Sequence, residues 1–342
     1  IRHKTEAYTF PHRTFQEFLV ACHLVGLRDY PGEAARLVRE VFVLAGGHAA
    51  RTHRLVQAIS AANALCPLEV GRVDRRDAVA YRRAQVAGEA LLESGLLGVR
   101  REEVGQAVLA RVQDWLVAAL RADAVLQATE RAEAGRTLAR LGDRRPGVGL
   151  REDGLPDIAW CEVPAGPFLM GSTDADEMAL DSEKPQHTYE IEKSYGISRY
   201  PITNAQYAAF IQAGGYTERR YWSEAGWARR ERDDIIRSRD YGEPFSLPNH
   251  PRVGVNWYEV VAYCRWLTEV LQERGVLGEG QAIRLPTEPE WEKAARGTEG
   301  RRYPWGEDVK PDCANYSETG IGTTSAVGCF PGGASPYGVE DM

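Results

Sequence analysis

The stretch Arg284-Leu285-Pro286-Thr287-Glu288-Pro289-Glu290-Trp291-Glu292-Lys293-Ala294-Ala295-Arg296-Gly297 governs how the residues around it are read. Pro286 closes a short run. Thr287 then stands where a side-chain oxygen meets the first free amides of a helix, and Glu290 follows at capping-box spacing. Trp291, Ala294 and Ala295 recur at i, i+3 and i+4, which predicts one apolar, mostly small face turned to a core. Gly297 is placed to end the helix. Taken alone, this is a capped, partly buried helix with no chemistry of its own.

On its N-terminal side, Asn256-Trp257-Tyr258-Glu259 predicts another capped helix, with Val260, Val261, Cys264, Leu267, Val270 and Leu271 on one face. Thr203-Asn204-Ala205-Gln206 caps a third, with Tyr207, Phe210 and Ile211 facing inward. Residues 216–251 form a long, aromatic and charged connection, the kind that is functional or packs on itself. Within it Trp222, Trp227 and Arg229 are the candidate ligand-facing residues, with loop anchoring as the competing reading for both tryptophans. Two short strands are predicted around Pro164-Ala165-Gly166-Pro167 and another over Tyr189–Ile197. Beyond Gly297 the chain is turn-rich, as in Tyr303-Pro304-Trp305-Gly306 and Ser335-Pro336-Tyr337-Gly338.

Residues 1–145 carry a different texture. Thr14 to Glu17 is a capping signature, and apolar positions recur at helical spacing over 34–45, 54–65, 76–94, 102–119 and 122–141. No fixed repeat period is present, so a helical bundle or irregular solenoid is expected. Gly142-Asp143-Arg144-Arg145-Pro146-Gly147-Val148-Gly149 marks the boundary. The predicted architecture is α+β: an all-helical domain over 1–145, a linker over 146–157, and an irregular, loop-rich α+β domain over 158–342.

The net charge of −7 is unevenly spread. Residues 1–150 hold 22 Lys+Arg against 17 Asp+Glu, and the remainder holds 20 against 32. The acidic second half argues against a nucleic-acid surface, and no apolar run approaches the roughly 20 residues needed to cross a bilayer. The six cysteines form no C-x-x-C and no metal-finger spacing, so they read as buried thiols of a reducing, cytoplasmic compartment. Cys313 and Cys329 could lie near each other; spacing alone does not pair them. Basic residues are nearly all Arg, which suggests a GC-rich or thermophilic bacterial source.

Ordered motifs carry a family resemblance. Phe168-x-Met170-Gly171-Ser172, Tyr200-Pro201-Ile202-Thr203-Asn204, His250-Pro251, Asn256-Trp257-Tyr258, Arg284-Leu285-Pro286-Thr287-Glu288, Glu290-Trp291-Glu292, Ala294-Ala295-Arg296-Gly297, Tyr303-Pro304-Trp305-Gly306, Ala314-Asn315 and Ser335-Pro336-Tyr337-Gly338 occur in fixed order. Together they resemble the formylglycine-generating-enzyme (sulfatase-modifying factor) domain, whose fold is C-type-lectin-like. The resemblance covers about 158–342 and implies that the domain continues past Met342. Phe10-Pro11-His12-Arg13-Thr14-Phe15 resembles the helical region that follows the core of NACHT-type signalling ATPases, although the chain holds no Walker A motif.

The resemblance implies several functions. Its oxidase members bind copper with a cysteine pair near the C-terminus, and no cysteine here matches those positions. Its iron-dependent sulfoxide synthases need a helical-domain His-x-x-x-His-x-Glu. His3, His12, His48 and His53 lack that spacing, which sets this branch aside. The resemblance implies that calcium-binding members use Asn and Asp side chains plus carbonyls in the loop after the Ala-Asn motif, of which Asn315 matches one ligand; no other metal ligand, cofactor or catalytic residue is expected. The remaining branch, variable proteins diversified by bacterial retroelements, fits the helical partner. The expected function is therefore a non-enzymatic recognition protein that binds a protein or other macromolecule through its C-terminal face. A copper-dependent formylglycine oxidase, or the sensor part of a NACHT ATPase, is the alternative.

Overall fold

The computed structural model describes residues 55–67, 70 and 76–342. The helices expected near Thr14 and over 34–45 lie outside these residues. The chain divides into two compact units, 1–112 and 113–342.

In the first unit, α1 (Leu55–Leu65) and α2 (Ala78–Glu93) pack through small side chains, Ala61 against Ala90. Asp77 starts α2 by accepting the amides of Val79 and Ala80 at 3.0 and 3.3 Å. A short α3 (Leu96–Val99) leads into α4 (Glu103–Leu120), whose last residues belong to the second unit.

The second unit continues with α5 (Ala128–Leu141). The helix expected over 122–141 starts six residues late, because Asp123–Gln127 turn back before α5 begins. Four short strands follow: β1 (Trp160–Val163), β2 (Gly166–Met170), β3 (His187–Ile191) and β4 (Tyr195–Ser198). β1 and β2 do not pair with each other. β1 pairs antiparallel with β4, and β2 with β3, giving two separate ribbons. The single strand expected over Tyr189–Ile197 is broken at Glu192–Ser194, which sends its halves to different partners.

Three further helices carry the core: α6 (Asn204–Gln212), α8 (Trp257–Glu273) and α9 (Glu288–Arg296), with α7 (Glu224–Arg232) folded inside the long connection. Tyr207, Phe210, Tyr216, Tyr221, Trp222, Tyr263, Trp266 and Leu267 form an aromatic cluster. Burial of such rings stabilises each by several kcal/mol, on the order of 25 cal/mol per Å² of apolar surface removed from water. Glu259 closes this core in two ways. One carboxylate oxygen accepts the Asn256 amide at 2.8 Å, completing the cap of α8. The other accepts the Tyr216 hydroxyl at 2.5 Å, and Tyr216 lies 3.0 Å from the Tyr207 hydroxyl.

The opening helix, α9, differs from expectation in its face. Ala294 and Ala295 are buried, while Trp291 is 48% exposed and Lys293 is only 1% exposed. The buried ammonium is satisfied by carbonyls of the β1–β2 turn, donating to Pro164 at 2.7 Å and Gly166 at 2.8 Å. Glu292 accepts the Gly171 amide at 2.7 Å, and Arg296 clasps Glu292, Gly171, Gly300 and Arg301. The motif is a set of side-chain clamps that fix both ends of β2. Ile211, expected to face inward on α6, is 37% exposed.

Candidate functional site

The candidate residues of the long connection make local contacts. Trp222 is buried, donates its indole N–H to Gly215 at 2.8 Å and packs edge-on to Tyr216 and Trp227. Trp227 donates to Glu231 at 2.8 Å and carries the Arg230 guanidinium over its ring. Arg229 pairs with Asp233 one turn along α7. The three stand on or beside one helix, and their polar groups are engaged within it or the adjoining loop.

Asn315 is also engaged. Its amide donates to Thr323 O at 2.8 Å and Ser325 Oγ at 3.2 Å, and its Oδ1 accepts the Thr319 hydroxyl at 3.3 Å. It staples the loop 315–325. The oxygen that calcium would need is turned into that staple, and a hard cation needs six to eight oxygens.

A cleft of about 390 Å³ opens between the turn leading into α5 and the loops 311–312 and 318–319. Asp123, Ala124, Gln127 and Thr129 line one side; Pro311, Asp312, Glu318 and Thr319 line the other. Three carboxylates line it, Asp123, Asp312 and Glu318, of which Asp312 is paired with Arg131. Behind it Arg131 is fully buried, donating to Leu126 O at 2.8 Å and Cys329 O at 3.0 Å, with Asp312 Oδ1 at 3.4 Å and Phe330 beneath its guanidinium. The cleft is therefore built jointly by α5 and the loops of the family domain. Sequence reasoning missed it, because its carboxylates lie about 190 residues apart in the chain.

A second buried polar group fastens the same helix. Arg145 forks onto Asp143 at 2.7–3.1 Å, donates to Val327 O at 2.7 Å and lies over the Tyr200 ring. Gly328 sits against this group with φ +72°; a side chain there would meet Tyr200, Arg145 and Glu340 within 2.8–3.3 Å, so only glycine fits. Asp341, half-buried beside it, accepts the Gly328 amide at 2.6 Å, and its desolvation pushes its carboxyl up to about 6.

The thiols are quiet. Cys66, Cys161, Cys264, Cys313 and Cys329 are all free, and Cys313 is the one that is not buried. Its sulfur donates to Gly332 O at 3.3 Å, and partial burial raises its pKa. Burial pushes Cys329 up to about 12. Both are protonated at neutral pH, whereas nucleophilic and metal-binding cysteines act as thiolates. Among the described residues no three His, Cys, Asp or Glu side chains converge as metal ligands. The described residues thus do not fit the iron or copper that the family resemblance implies, and no chemical step is drawn through either. Five of the seven histidines (positions 3, 12, 23, 48 and 53) lie outside the described residues. No described helix is long and apolar enough to cross a membrane.

Comparison with known proteins corrects the expected function. A hercynine oxygenase of Mycolicibacterium thermoresistibile is 39% identical over 209 residues, 55% of this chain and 43% of that protein. A hercynine oxygenase of Mycobacterium tuberculosis is 37% identical over 194 residues, 51% of this chain and 41% of that protein. A formylglycine-generating enzyme of Thermomonospora curvata is 34% identical over 175 residues, 44% of this chain and 52% of that protein. The chain spans about half the length of these relatives. All three are enzymes, which overturns the reading of a non-enzymatic recognition protein and with it the retroelement-diversified assignment. Histidine spacing in the first half does not decide the branch, because the family match falls in residues 156–342. Residues 156–342 match the sulfatase-modifying factor enzyme 1-like domain. On that match, which spans more than half its length, the chain belongs to the sulfatase-modifying factor enzyme 1-like family.

Proposed function

We propose that the chain is part of an oxygen-using enzyme of the hercynine oxygenase type, in which residues 113–342 form the rigid scaffold and one wall of the substrate site. The alignment with hercynine oxygenases at up to 39% identity is the observation that carries this reading. The cleft beside α5 supports it. Hercynine is a betaine, and the Asp123 and Glu318 carboxylates of the cleft could receive its quaternary ammonium end. The scaffold's part is binding and orientation: side chains held by buried hydrogen bonds keep the cleft walls at fixed separation.

A formylglycine-generating activity on a cysteine-containing peptide is the second reading, favoured by the Thermomonospora curvata relative. The higher identity to the hercynine oxygenases, 39% against 34%, favours the oxygenase reading. The finer fold assignment, a C-type-lectin-like arrangement, belongs to the same proposal; two short ribbons and many loops around an aromatic core support it. For the first half we propose an accompanying helical domain. Its likeness to NACHT-associated helices rests on the sequence motif alone.

The test is oxygen uptake by the protein in two mixtures. One contains iron(II), hercynine and a small thiol; the other contains copper(I) and a cysteine peptide. Uptake that requires hercynine is expected. Uptake only with the cysteine peptide would install the second reading, and uptake in neither would remove both.

A further inference from the structure

Among the buried side-chain polar atoms of the second unit that have no hydrogen-bond partner within the protein, three belong to residues linked around α5: Asn249 Oδ1, His250 Nε2 and Arg136 Nε. Asn249 and His250 are 1% and 0% exposed, so bulk water does not reach them. Bonds made by neighbouring atoms draw the three residues together. The Asn249 amide donates to Gly135 O at 3.1 Å, next to Arg136 on α5, and to Asp143 at 2.9 Å. Both of these partners are acceptors. They fix the amide's orientation and leave Oδ1 as the free acceptor. His250 Nδ1 lies 2.9 Å from Thr324 Oγ1. Arg136 and Arg140 are the charged groups that act on the imidazole, and together with burial they hold it neutral. A neutral ring has one N–H. In the tautomer that carries that proton on Nδ1, donated to Thr324 Oγ1, Nε2 is an acceptor.

The set is thus one donor, Arg136 Nε–H, and two acceptors, Asn249 Oδ1 and His250 Nε2. A bound anion would face two lone pairs. A metal cation would face a guanidinium. One neutral molecule that accepts once and donates twice satisfies all three, and buried waters make about three such bonds. We propose that a single buried water molecule joins Arg136, Asn249 and His250. It fastens α5, which precedes the family match at residue 156, to the turn 249–250. Through the His250–Thr324 contact it also steadies the loop that Asn315 staples, and that loop supplies Glu318 and Thr319 to the cleft. Leaving buried polar groups unpaired is costly, which gives the water its hold.

Two measurements decide the matter. A high-resolution crystal structure is expected to show one ordered peak within hydrogen-bond distance of all three atoms. Long-range proton–nitrogen NMR of the histidines is expected to show His250 protonated on Nδ1 and unprotonated on Nε2 at neutral pH. In Arg136→Lys, which keeps the charge and removes Nε, the peak should lose occupancy while the tautomer stays. A map in which Arg136 Nε bonds directly to His250 or Asn249 would overturn the proposal, as would a spectrum with the proton on Nε2.

Discussion

At the scale of single residues, paired and partly buried charges do the fixing. Glu290 receives the Arg284 fork at 2.5 and 2.6 Å, together with the Thr287 amide at 2.7 Å, and these hold its carboxyl at about 2. Its folded pKa is depressed, so its contribution is present above the ordinary carboxylate range and is lost as pH falls from about 4.5 toward 2. Glu290→Gln should cost about 1 kcal/mol in urea titrations at pH 7, the value being small because Arg284 is largely exposed, and nearly nothing at pH 2. His250 and Asp341 act in opposite directions. His250 sits at about 4, so the fold loses stability as pH falls from 6.5 to 4, where the unfolded chain takes up the proton first. Asp341 sits at about 6, so its penalty is present at neutral pH and disappears on acidification through 6 to 3.8. Asp341→Asn keeps an acceptor for Gly328, and Asn tolerates the φ of +62°. It should stabilise the protein by roughly 2 kcal/mol at pH 8 and by little at pH 4, read by thermal melts at the two pH values.

At the scale of elements, the clamps of α9 and the docking of α5 set the geometry. Lys293→Met leaves two carbonyls of the β1–β2 turn without their donor, and a loss of about 2 kcal/mol is expected in chemical denaturation. On α5, Gly135→Ala tests two opposing effects. Helix propensity favours Ala by about 1 kcal/mol. Packing opposes it, since the new Cβ would lie 2.6 Å from Ala326 Cβ and 3.2 Å from Leu120 Cδ2. Backbone-anchored neighbours cannot yield that much, so the variant should melt lower than the parent; a higher melting temperature would show that α5 does not dock as described. Much of this level was legible in the sequence. The caps at Thr203, Asn256 and Thr287 rest on local spacing and were found by it. The exposure of Trp291 and the pairing of β1 with β4 were not, because each depends on a partner distant in the chain: a carbonyl turn that accepts Lys293, and a strand that lies 32–38 residues away.

At the scale of the molecule, the structural unit is longer than the family domain. Arg131 and Arg145 reach from before residue 156 to the carbonyls of Val327 and Cys329, so the segment 113–149 completes the core and the cleft. A fragment starting at 150 should be aggregated or protease-sensitive, whereas one starting at 113 should give a cooperative melt. The family was legible because its motifs are local and ordered. The function is not legible in those motifs, and the cleft joins positions that no local pattern connects. The most direct test of the enzymatic account is mass spectrometry of hercynine incubated with the protein, iron(II), a thiol and isotopically labelled dioxygen. The account predicts a hercynine-derived product carrying the oxygen label. Hercynine recovered unlabelled and unchanged, with a correctly folded protein, would contradict it.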